Sequence, residues 1–496
     1  MNPNMRTHQG PWTRRRGLPG LLALSAASAV LSTLAVPGAA GAQEASAKNP
    51  AITWGACTKA QPEFPDPSPN AECGTVQVPV DWAKPNGAKT EVHLVRHRAT
   101  DPKKRIGALL VNPGGPGASG VESVMYSGTV FGTYSPKLLQ RFDLIGFDPR
   151  GIDRSGRVQC DETIAAKAPK RPRNAAEFEK LRTLNAKLAK SCLAKGGQLA
   201  AHMDGESVAR DMDAIRAALG ERKISFLGHS YGTVLGERYA RLFPDRLRAL
   251  ALDSTVDTVR PTAEQLLTDG AVTLNDIAKK LAAWCKTDAS CALKGQDVTA
   301  VIDELYARAD AGTLRVPGPD GPTRTEVSSD KFAALLTRML SDFAPEAAAR
   351  DLAALQSGRG EVYFAEEHPD PVKQLVLCRD FDFRIRDYAE YRAISERVAK
   401  AAPHVRYDDQ ALDFALGCQG WPMAPKPRPT QAKGTLPPVL VVNATHDAAT
   451  PLPGARRTAR AFPNASLLVV DAVTHVLYGD LATRPAIEKY LINPKG

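Results

Sequence analysis

The sequence has no Cys-x-x-Cys pair, although it contains eight cysteines. Cysteines at that spacing are typical of structural zinc sites and thiol redox centres, so we expect no metal site and no cofactor. The sequence also lacks a long block of lysine and arginine, and any basic stretch interleaved with aromatic residues, although its net charge is +10. Nucleic-acid binding needs such a concentrated positive charge, so nucleic acid is not an expected partner.

Acidic residues are missing from the first 42 positions, which do contain Arg6 and the run Arg14–Arg16. An uncharged stretch rich in Ala, Leu and Ser follows over residues 18–36, and Ala40–Ala42 has small side chains at the spacing that a signal peptidase requires. This order predicts a signal peptide over residues 1–42, cleaved near Ala42. The arginine run after a threonine also resembles a twin-arginine signal, so the Sec and twin-arginine routes both remain open.

The uncharged stretch is weakly apolar and is broken by Pro19 and Pro37, so we expect no stable membrane insertion after cleavage. The expected product is a secreted, extracellular protein. Without residues 1–42, which carry four arginines and no acid, the net charge falls from +10 to +6.

All eight cysteines lie after the predicted signal peptide, and an even number in an exported chain predicts disulfides. Sequence alone does not fix the pairing. Pairing between sequence neighbours is the working expectation, and it gives Cys57–Cys73, Cys160–Cys192, Cys285–Cys291 and Cys378–Cys418.

The chain is organised around Gly228–Gly232, which reads Gly-His-Ser-Tyr-Gly. An apolar run precedes it over 224–227, and a helical pattern follows over 234–242. A strand, Gly-x-Ser-x-Gly and a helix, in this order, are typical of the nucleophile elbow of α/β-hydrolases. Ser230 is therefore the candidate nucleophile, and it needs a base to accept its proton. The alternative interpretation is a strand–turn–helix with two incidental glycines.

Strand and helix patterns alternate around this segment. Apolar strand runs at 106–111, 142–148 and 247–253, with helical patterns at 175–196 and 206–219, predict a mostly parallel sheet flanked by helices. Near residue 256 the alternation stops, and helical segments follow without core strands. We therefore predict a signal peptide at 1–42, the first part of an α/β-hydrolase core at 43–256, a mainly helical cap insertion at 257–375, and the second part of the core at 376–496.

The acid and the base are sought in the second part of the core, because α/β-hydrolases order their triad as Ser, acid, His. Asp447 follows a late apolar strand and His475 follows the last one, so both are expected at the carboxyl ends of strands. We assign His475 as the base and Asp447 as the acid that orients it. A turn carboxylate and a surface histidine are the alternatives. His446 is a competing base, but it precedes the acid.

The glycine-rich segment 112–120 follows a core strand, where α/β-hydrolases place one donor of the oxyanion hole. Gly114 and Gly115 are the candidates for that donor, and the N–H of Tyr231 is the second. Each such donor stabilises the transition state by roughly 3–4 kcal/mol. Phosphate binding is the alternative, but the two prolines in the segment remove backbone donors.

With these motifs the chain resembles the secreted tripeptidyl aminopeptidase family of α/β-hydrolases. This family is akin to the proline iminopeptidases and has a TAP-like C-terminal region. The matching segments run through most of the chain after residue 42: Val-Pro-Val-Asp-Trp-Ala-Lys-Pro at 78–85, Asn-Pro-Gly-Gly-Pro-Gly-Ala-Ser-Gly at 112–120, Asp-Pro-Arg-Gly at 148–151 with Arg-Ser-Gly at 154–156, the stretch 211–219, Gly-His-Ser-Tyr-Gly-Thr at 228–233, Cys-Arg-Asp at 378–380, Cys418 with Trp421 and Pro422, and 447–451 with His475. Two departures are Asp153, where the family usually has glycine, and Ala201–Met203, where it tends to have a threonine pair.

The resemblance implies a serine exopeptidase that hydrolyses peptides near a free N-terminus, of the tripeptidyl, dipeptidyl or prolyl type. Such an enzyme needs a carboxylate that binds the α-ammonium group of the peptide. Asp380 is our candidate for this carboxylate, and a purely structural role for Asp380 is an equal alternative. Glu366 and Glu367 are further acidic candidates in the cap.

Two other functions compete with this prediction. The first is a carboxylic ester hydrolase that uses the same triad. The second is a catalytically silent binding or cell-surface protein, which the presence of a complete candidate triad disfavours. An aspartate nucleophile, as in the epoxide hydrolases of this fold, is excluded because position 230 is serine.

Overall fold

The computed structural model describes residues 52–59, 64–130, 132–259, 261–318, 321–341, 344–360, 362 and 370–495. The predicted signal peptide and the candidates Glu366 and Glu367 lie outside these residues. Among the described residues, no helix combines the length and the apolar character needed to cross a lipid bilayer.

Within the described residues, nine strands form one main sheet in the order β1-β2-β3-β5-β4-β6-β7-β10-β11, and β8 and β9 form a separate hairpin. The strands are β1 Gly55–Ala56, β2 Ala71–Pro79, β3 Lys89–His97, β4 Gly107–Asn112, β5 Phe142–Phe147, β6 Ile224–His229, β7 Leu247–Asp253, β8 Arg315–Gly318, β9 Gly321–Glu326, β10 Val439–His446 and β11 Ala465–Val473.

Helices connect and cover these strands. They are α1 Gly120–Met125, α2 Pro136–Arg141, α3 Glu162–Ala165, α4 Ala175–Ala200, α5 Gly205–Ala218, α6 Gly232–Leu242, α7 Ala263–Thr287, α8 Val298–Asp310, α9 Ser329–Ser341, α10 Pro345–Ser357, α11 Pro371–Asp380, α12 Tyr388–Ala401, α13 Asp409–Gly417, α14 Leu452–Arg460 and α15 Arg484–Ile492.

The sheet is antiparallel at one side and parallel through its centre. β2 pairs antiparallel with β3, and β3 pairs antiparallel with β5. β1 also pairs antiparallel with β2, and the pairs from β5 through β4, β6, β7 and β10 to β11 are parallel. Every residue of β4, β6 and β7, apart from Arg248, is buried, which is why their sequences are nearly continuous apolar runs. The predicted α/β architecture is confirmed.

The chain order reverses beside β4, because β5 lies on one side of it and β6 on the other. At such a reversal the loops after the two central strands leave in opposite directions and open a crevice at their carboxyl ends. The glycine-rich segment 112–120 leaves β4 at this point, and Ser230 directly follows β6. The topology thus places the two candidate parts of an active site side by side.

The predicted helical segment between β7 and β10 begins with α7 and contains the β8–β9 hairpin. Its helices continue past residue 375, because α11 crosses that position and α12 and α13 follow before β10. The cap boundary at 257–375 stays a prediction, and the helical segment itself extends to Gly417.

The eight cysteines form four disulfides between sequence neighbours, Cys57–Cys73, Cys160–Cys192, Cys285–Cys291 and Cys378–Cys418, as expected. Cys378 lies in α11 and Cys418 follows α13, so this bridge ties two helices of the inserted segment together.

We expect the Cys378–Cys418 bridge to stabilise the fold more than Cys285–Cys291 does. Their sequence separations are 40 and 6 residues, and all four cysteines are buried, so the pairs differ chiefly in the loop that they close. Chain-entropy reasoning gives a loss of about 4 kcal/mol in the free energy of unfolding for Cys378→Ala/Cys418→Ala, against about 2 kcal/mol for Cys285→Ala/Cys291→Ala. Denaturant unfolding of both double variants tests this order, and equal losses would contradict it.

Candidate active site

Ser230 sits in a strained turn between β6 and α6. Its φ is +53°, a left-handed conformation that serine rarely adopts. The turn is possible because Gly228 and Gly232 have no side chains. A Cβ on Gly228 would lie 2.5 Å from the carbonyl oxygen of Gly232, and one on Gly232 would lie 2.5 Å from the carbonyl oxygen of Asn112. The glycines predicted to be incidental under the alternative interpretation are therefore required by the packing of the turn.

The side chains of His475 and Asp447 meet at the carboxyl ends of β11 and β10. The Nδ1 atom of His475 lies 3.0 Å from both carboxylate oxygens of Asp447, which is fully buried. Thr450 donates twice to the same carboxylate, from its N–H at 2.9 Å and from its hydroxyl at 2.7 Å. With Nδ1 facing the acid, the Nε2 atom of His475 is the one left to act as a base.

The environment of His475 makes its imidazole a stronger base. Burial alone lowers the pKa of His475, but the hydrogen bond and charge of Asp447 and the charge of Asp253 oppose it, and the net effect raises the pKa above its ordinary value. His446, the competing base, has its pKa lowered by burial and by the charge of Lys280. It does not line the cavity that holds Ser230 and His475.

Ser230 and His475 open onto one cavity of about 400 Å³. Thr450 and Tyr231 line it beside them, and the segment that follows β4 lines it through Pro113, Gly115 and Pro116. Its far walls come from the inserted helical segment and from α14. The structure thus brings Ser230, His475 and part of the predicted oxyanion segment to a single cavity. Asp447 does not line this cavity and is buried against His475.

The three candidate oxyanion residues differ in what their N–H groups do. The N–H of Gly114 donates to Oδ1 of Asn112 at 3.0 Å, so it is already engaged. Among the described residues, the N–H groups of Gly115 and Tyr231 have no acceptor, and both residues line the cavity. A Cβ on Gly114 would lie 2.9 Å from Cβ of Ser230, so glycine is needed there for space. The geometry therefore favours Gly115 and Tyr231 as the donors.

Asp380 lies at the end of α11, where its carboxylate is buried and already bonded. It accepts the N–H of Gly205 at 2.9 Å and the hydroxyl of Tyr231. Burial raises the pKa of Asp380, and the charge of Arg238 opposes that rise. Asp380 does not line the cavity. These contacts match the structural alternative for Asp380, since it fixes the start of α5 and the side chain of Tyr231.

Two other aspartates, which were not predicted from the sequence, also line the cavity. Asp257 follows β7, and Asp269 lies in α7, three residues after the cavity-lining Leu266. Arg457 in α14 joins them: its Nε donates to Oδ2 of Asp257 at 2.7 Å, and its terminal amino group donates to Oδ2 of Asp269. The available signal was the position of Asp257 just beyond a core strand, and the helical spacing of Leu266 and Asp269 on one face.

The family departures lie away from this cavity. Asp153 has a φ of +39°, a conformation that glycine adopts without strain and that aspartate tolerates, which accounts for glycine being usual there. Neither Asp153 nor Ala201–Met203 lines the cavity. Over the described ranges, no group of three or more His, Cys, Asp and Glu side chains is arranged to hold a metal ion.

Comparison with protein-family models gives two matches along the chain. The model described as alpha/beta hydrolase fold matches residues 107–296, which contain Ser230. The model described as TAP-like protein matches residues 403–496, which contain Asp447 and His475.

Curated relatives match over most of the chain. Serine protease Hip1 of Mycobacterium tuberculosis is 31% identical over 480 residues, covering 89% of this chain and 88% of the relative. Tripeptidyl aminopeptidase of Streptomyces lividans is 31% identical over 462 residues, covering 86% and 81%. Carboxylesterase B of Mycobacterium tuberculosis is 29% identical over 494 residues, covering 92% and 91%.

We expect the acid limb of the kcat/KM profile to lie above pH 6.5. The base must be neutral to accept a proton, and the pKa of His475 is raised, so activity is lost as pH falls through a value above the ordinary pKa of about 6.5.

Asp447→Asn should lower kcat on the order of 10⁴-fold and move the acid limb of the kcat/KM profile to lower pH. Thr450→Val should cost much less, because Asp447 keeps its charge and its bonds to His475. Steady-state rates between pH 5 and 9 measure both effects, and a limb unmoved by Asp447→Asn contradicts the assignment.

Proposed function

Because the chain belongs to the α/β-hydrolase family, in its TAP-like branch, and is a serine hydrolase, we propose that it is a secreted serine aminopeptidase. It would release short N-terminal fragments, of the tripeptidyl, dipeptidyl or prolyl type, through Ser230, His475 and Asp447. One observation carries the proposal: a single cavity holds the candidate nucleophile and base together with a pair of carboxylates suited to a free α-ammonium group.

The proposed chemistry begins with the hydroxyl of Ser230 attacking the scissile carbonyl carbon. His475 takes the hydroxyl proton through Nε2, and Asp447 stabilises the imidazolium that forms. The carbonyl oxygen becomes negative and accepts the N–H groups of Gly115 and Tyr231. When the tetrahedral species collapses, the C–N bond breaks and His475 gives its proton to the leaving amine. Water, deprotonated by His475, then hydrolyses the acyl-enzyme and frees Ser230.

The α-ammonium site that we propose is the pair Asp257 and Asp269, in place of Asp380. One guanidinium, Arg457, bridges the two carboxylates and leaves the group with one net negative charge. Asp257 is engaged on both oxygens, since Oδ1 also accepts the N–H of Val259 at 2.9 Å. Within the described residues, Oδ1 of Asp269 has no donor. Asp269 therefore offers the open oxygen, and its side chain is only 20% exposed, which strengthens its attraction for a cation.

Another part of the cavity wall is apolar, which supports binding of apolar side chains. Leu377, Phe381, Phe383 and Phe414 line it, and the rings of Phe381 and Phe383 stack 5.3 Å apart. Lys373 also lines the cavity, with Nζ 4.7 Å from the ring centre of Phe414, and it interacts with the charges of Asp370 and Asp413. The two carboxylates and the aromatic side chains together favour a short peptide with a free amine and apolar residues.

Ester hydrolysis is the second candidate, since the same triad cleaves esters and the carboxylesterase relative spans most of the chain. It requires no ammonium site, so the role of Asp269 separates the two functions. The proposal of export is supported by four disulfides, which persist in oxidising compartments, and by the pattern of residues 1–42.

The direct test compares one unmodified peptide with its N-acetylated twin. Mass spectrometry should show successive loss of short N-terminal fragments from the free peptide, and no cleavage of the acetylated one. Ser230→Ala should abolish cleavage and leave the circular dichroism spectrum unchanged, because the side chain acts in chemistry and the glycines carry the turn. Equal cleavage of both peptides would refute an amine requirement, and cleavage of acyl esters alone would establish the esterase alternative.

The role of Asp269 has its own test. Asp269→Asn should raise KM for the free peptide by at least tenfold, because a charged hydrogen bond contributes roughly 1.5–3 kcal/mol. Turnover of a neutral acyl ester, which has no ammonium group, should change little. Asp276→Asn is the matched control, since this exposed carboxylate lies on the same helix and pairs with Lys279 at the surface. If the two variants behave alike toward the free peptide, Asp269 is not the anchor.

A further inference from the structure

Two buried residues at the carboxyl end of β7 hold the backbone that follows His475. Ser254 accepts the N–H of Val476 through its hydroxyl at 2.8 Å. Asp253 accepts the next two N–H groups, that of Leu477 on Oδ1 at 3.0 Å and that of Tyr478 on Oδ2 at 2.9 Å. Three successive backbone donors are thus captured by two adjacent residues, which fixes the loop that carries the base.

Asp253 also holds the nucleophile side of the site. Its Oδ2 lies 2.9 Å from Nδ1 of His229, the residue before Ser230. Its carbonyl oxygen accepts the N–H of Ser230 at 3.0 Å. A single residue therefore contacts both the strand end that presents Ser230 and the loop that presents His475.

The backbone is strained at the nucleophile turn, at the end of β7 and in the loop after His475. The φ angle is +53° at Ser230, +54° at Ser254 and +67° at Val476. Each conformation is unfavourable for a side chain other than glycine and persists only when surrounding contacts impose it. The hydrogen bonds of Asp253 and Ser254 are those contacts for the base loop.

We propose that Asp253 is a positioning residue of the catalytic site: its carboxylate sets the placement of His475 relative to Ser230, and its negative charge stabilises the imidazolium. The inference rests on the assignment of Ser230 and His475 in the proposed function, and it applies equally to peptide and ester substrates. Asp447 holds the ring of His475 from β10, whereas Asp253 holds the main chain on which that ring stands.

Asp253 acts on His475 through its charge as well as through its hydrogen bonds to the following backbone. The charged and titratable groups facing the imidazole are Asp447 from the end of β10 and Asp253 from the end of β7, and both raise the pKa of His475 against the effect of burial. His229 at the end of β6 faces Asp253 instead. A carboxylate with a purely structural role would affect folding and not the protonation of His475, so the two roles are separable by pH.

The test compares Asp253→Asn, Ser254→Ala and Asp471→Asn with the unchanged protein. Labelling of Ser230 by a fluorophosphonate is followed between pH 5 and 9, because labelling needs the nucleophile and base but no peptide recognition. Asp253→Asn should lower the labelling rate on the order of 100-fold, as expected for a misplaced catalytic group, and should move the acid limb to lower pH. Ser254→Ala should lower the rate severalfold and leave the limb in place, because it removes one hydrogen bond and no charge. Asp471→Asn, at an 80% exposed carboxylate on β11, should change neither.

A folded Asp253→Asn variant whose rate matches the unchanged protein overturns the inference, and so does a uniform loss of rate with an unmoved acid limb. Circular dichroism and thermal unfolding establish the folded fraction of each variant. If Asp253→Asn does not fold, Ser254→Ala decides the positioning role: a loss of at least threefold in labelling supports it, and an unchanged rate overturns it. If the unchanged protein is labelled normally by the fluorophosphonate but does not cleave peptides, the aminopeptidase proposal is refuted and this inference stays intact.

Discussion

The close approach of backbones around Ser230 is the constraint on which the rest of the site depends. A left-handed serine can stand between a strand and a helix only if nothing projects from its neighbours, and Gly114, Gly228 and Gly232 provide that space. The same closeness brings the loop after β4 against the turn, so the candidate oxyanion donors and the candidate nucleophile are positioned by the same packing. The strain at Ser230 is held by the sheet on one side, through the carbonyl of Asp253, and by the start of α6 on the other.

The inserted helical segment is coupled to this turn rather than simply resting on it. Asp380 at the end of α11 accepts the hydroxyl of Tyr231, whose N–H points to the candidate oxyanion hole. Two residues earlier, Cys378 is bonded to Cys418 beyond α13, so the helices that supply Leu377 and Phe414 to the cavity wall are held together. The cavity wall and Tyr231, the residue after Ser230, are therefore linked by a short path of covalent and hydrogen bonds.

The sequence predicted those parts of the molecule that local patterns determine. Ser230, Asp447 and His475 each follow an apolar strand in a fixed order, and disulfides between near neighbours need no knowledge of the tertiary fold. The cavity carboxylates were missed for the opposite reason. Arg457 is 200 residues from Asp257 and 188 from Asp269 along the chain, so only the fold brings them together. The hydrogen bonds of Asp253 to the loop after His475 also join distant parts of the chain, since Leu477 and Tyr478 lie more than 220 residues after Asp253.

The aspartates in and around the candidate site differ in the number of hydrogen-bond donors that each carboxylate receives. A carboxylate offers about four acceptor positions. Asp447 and Asp253 each bind three donors and Asp380 binds two, so these groups are fixed in place and act by orienting their partners. Asp269 lines the cavity and receives Arg457 on one oxygen, and among the described residues its other oxygen has no donor. Asp380 was the candidate from the sequence because it comes just after the predicted cap, within the segment Cys-Arg-Asp at 378–380, but a sequence segment records only which residue is present. How many donors a carboxylate receives depends on contacts from distant elements, so the sequence alone does not show which aspartate keeps an oxygen without a donor.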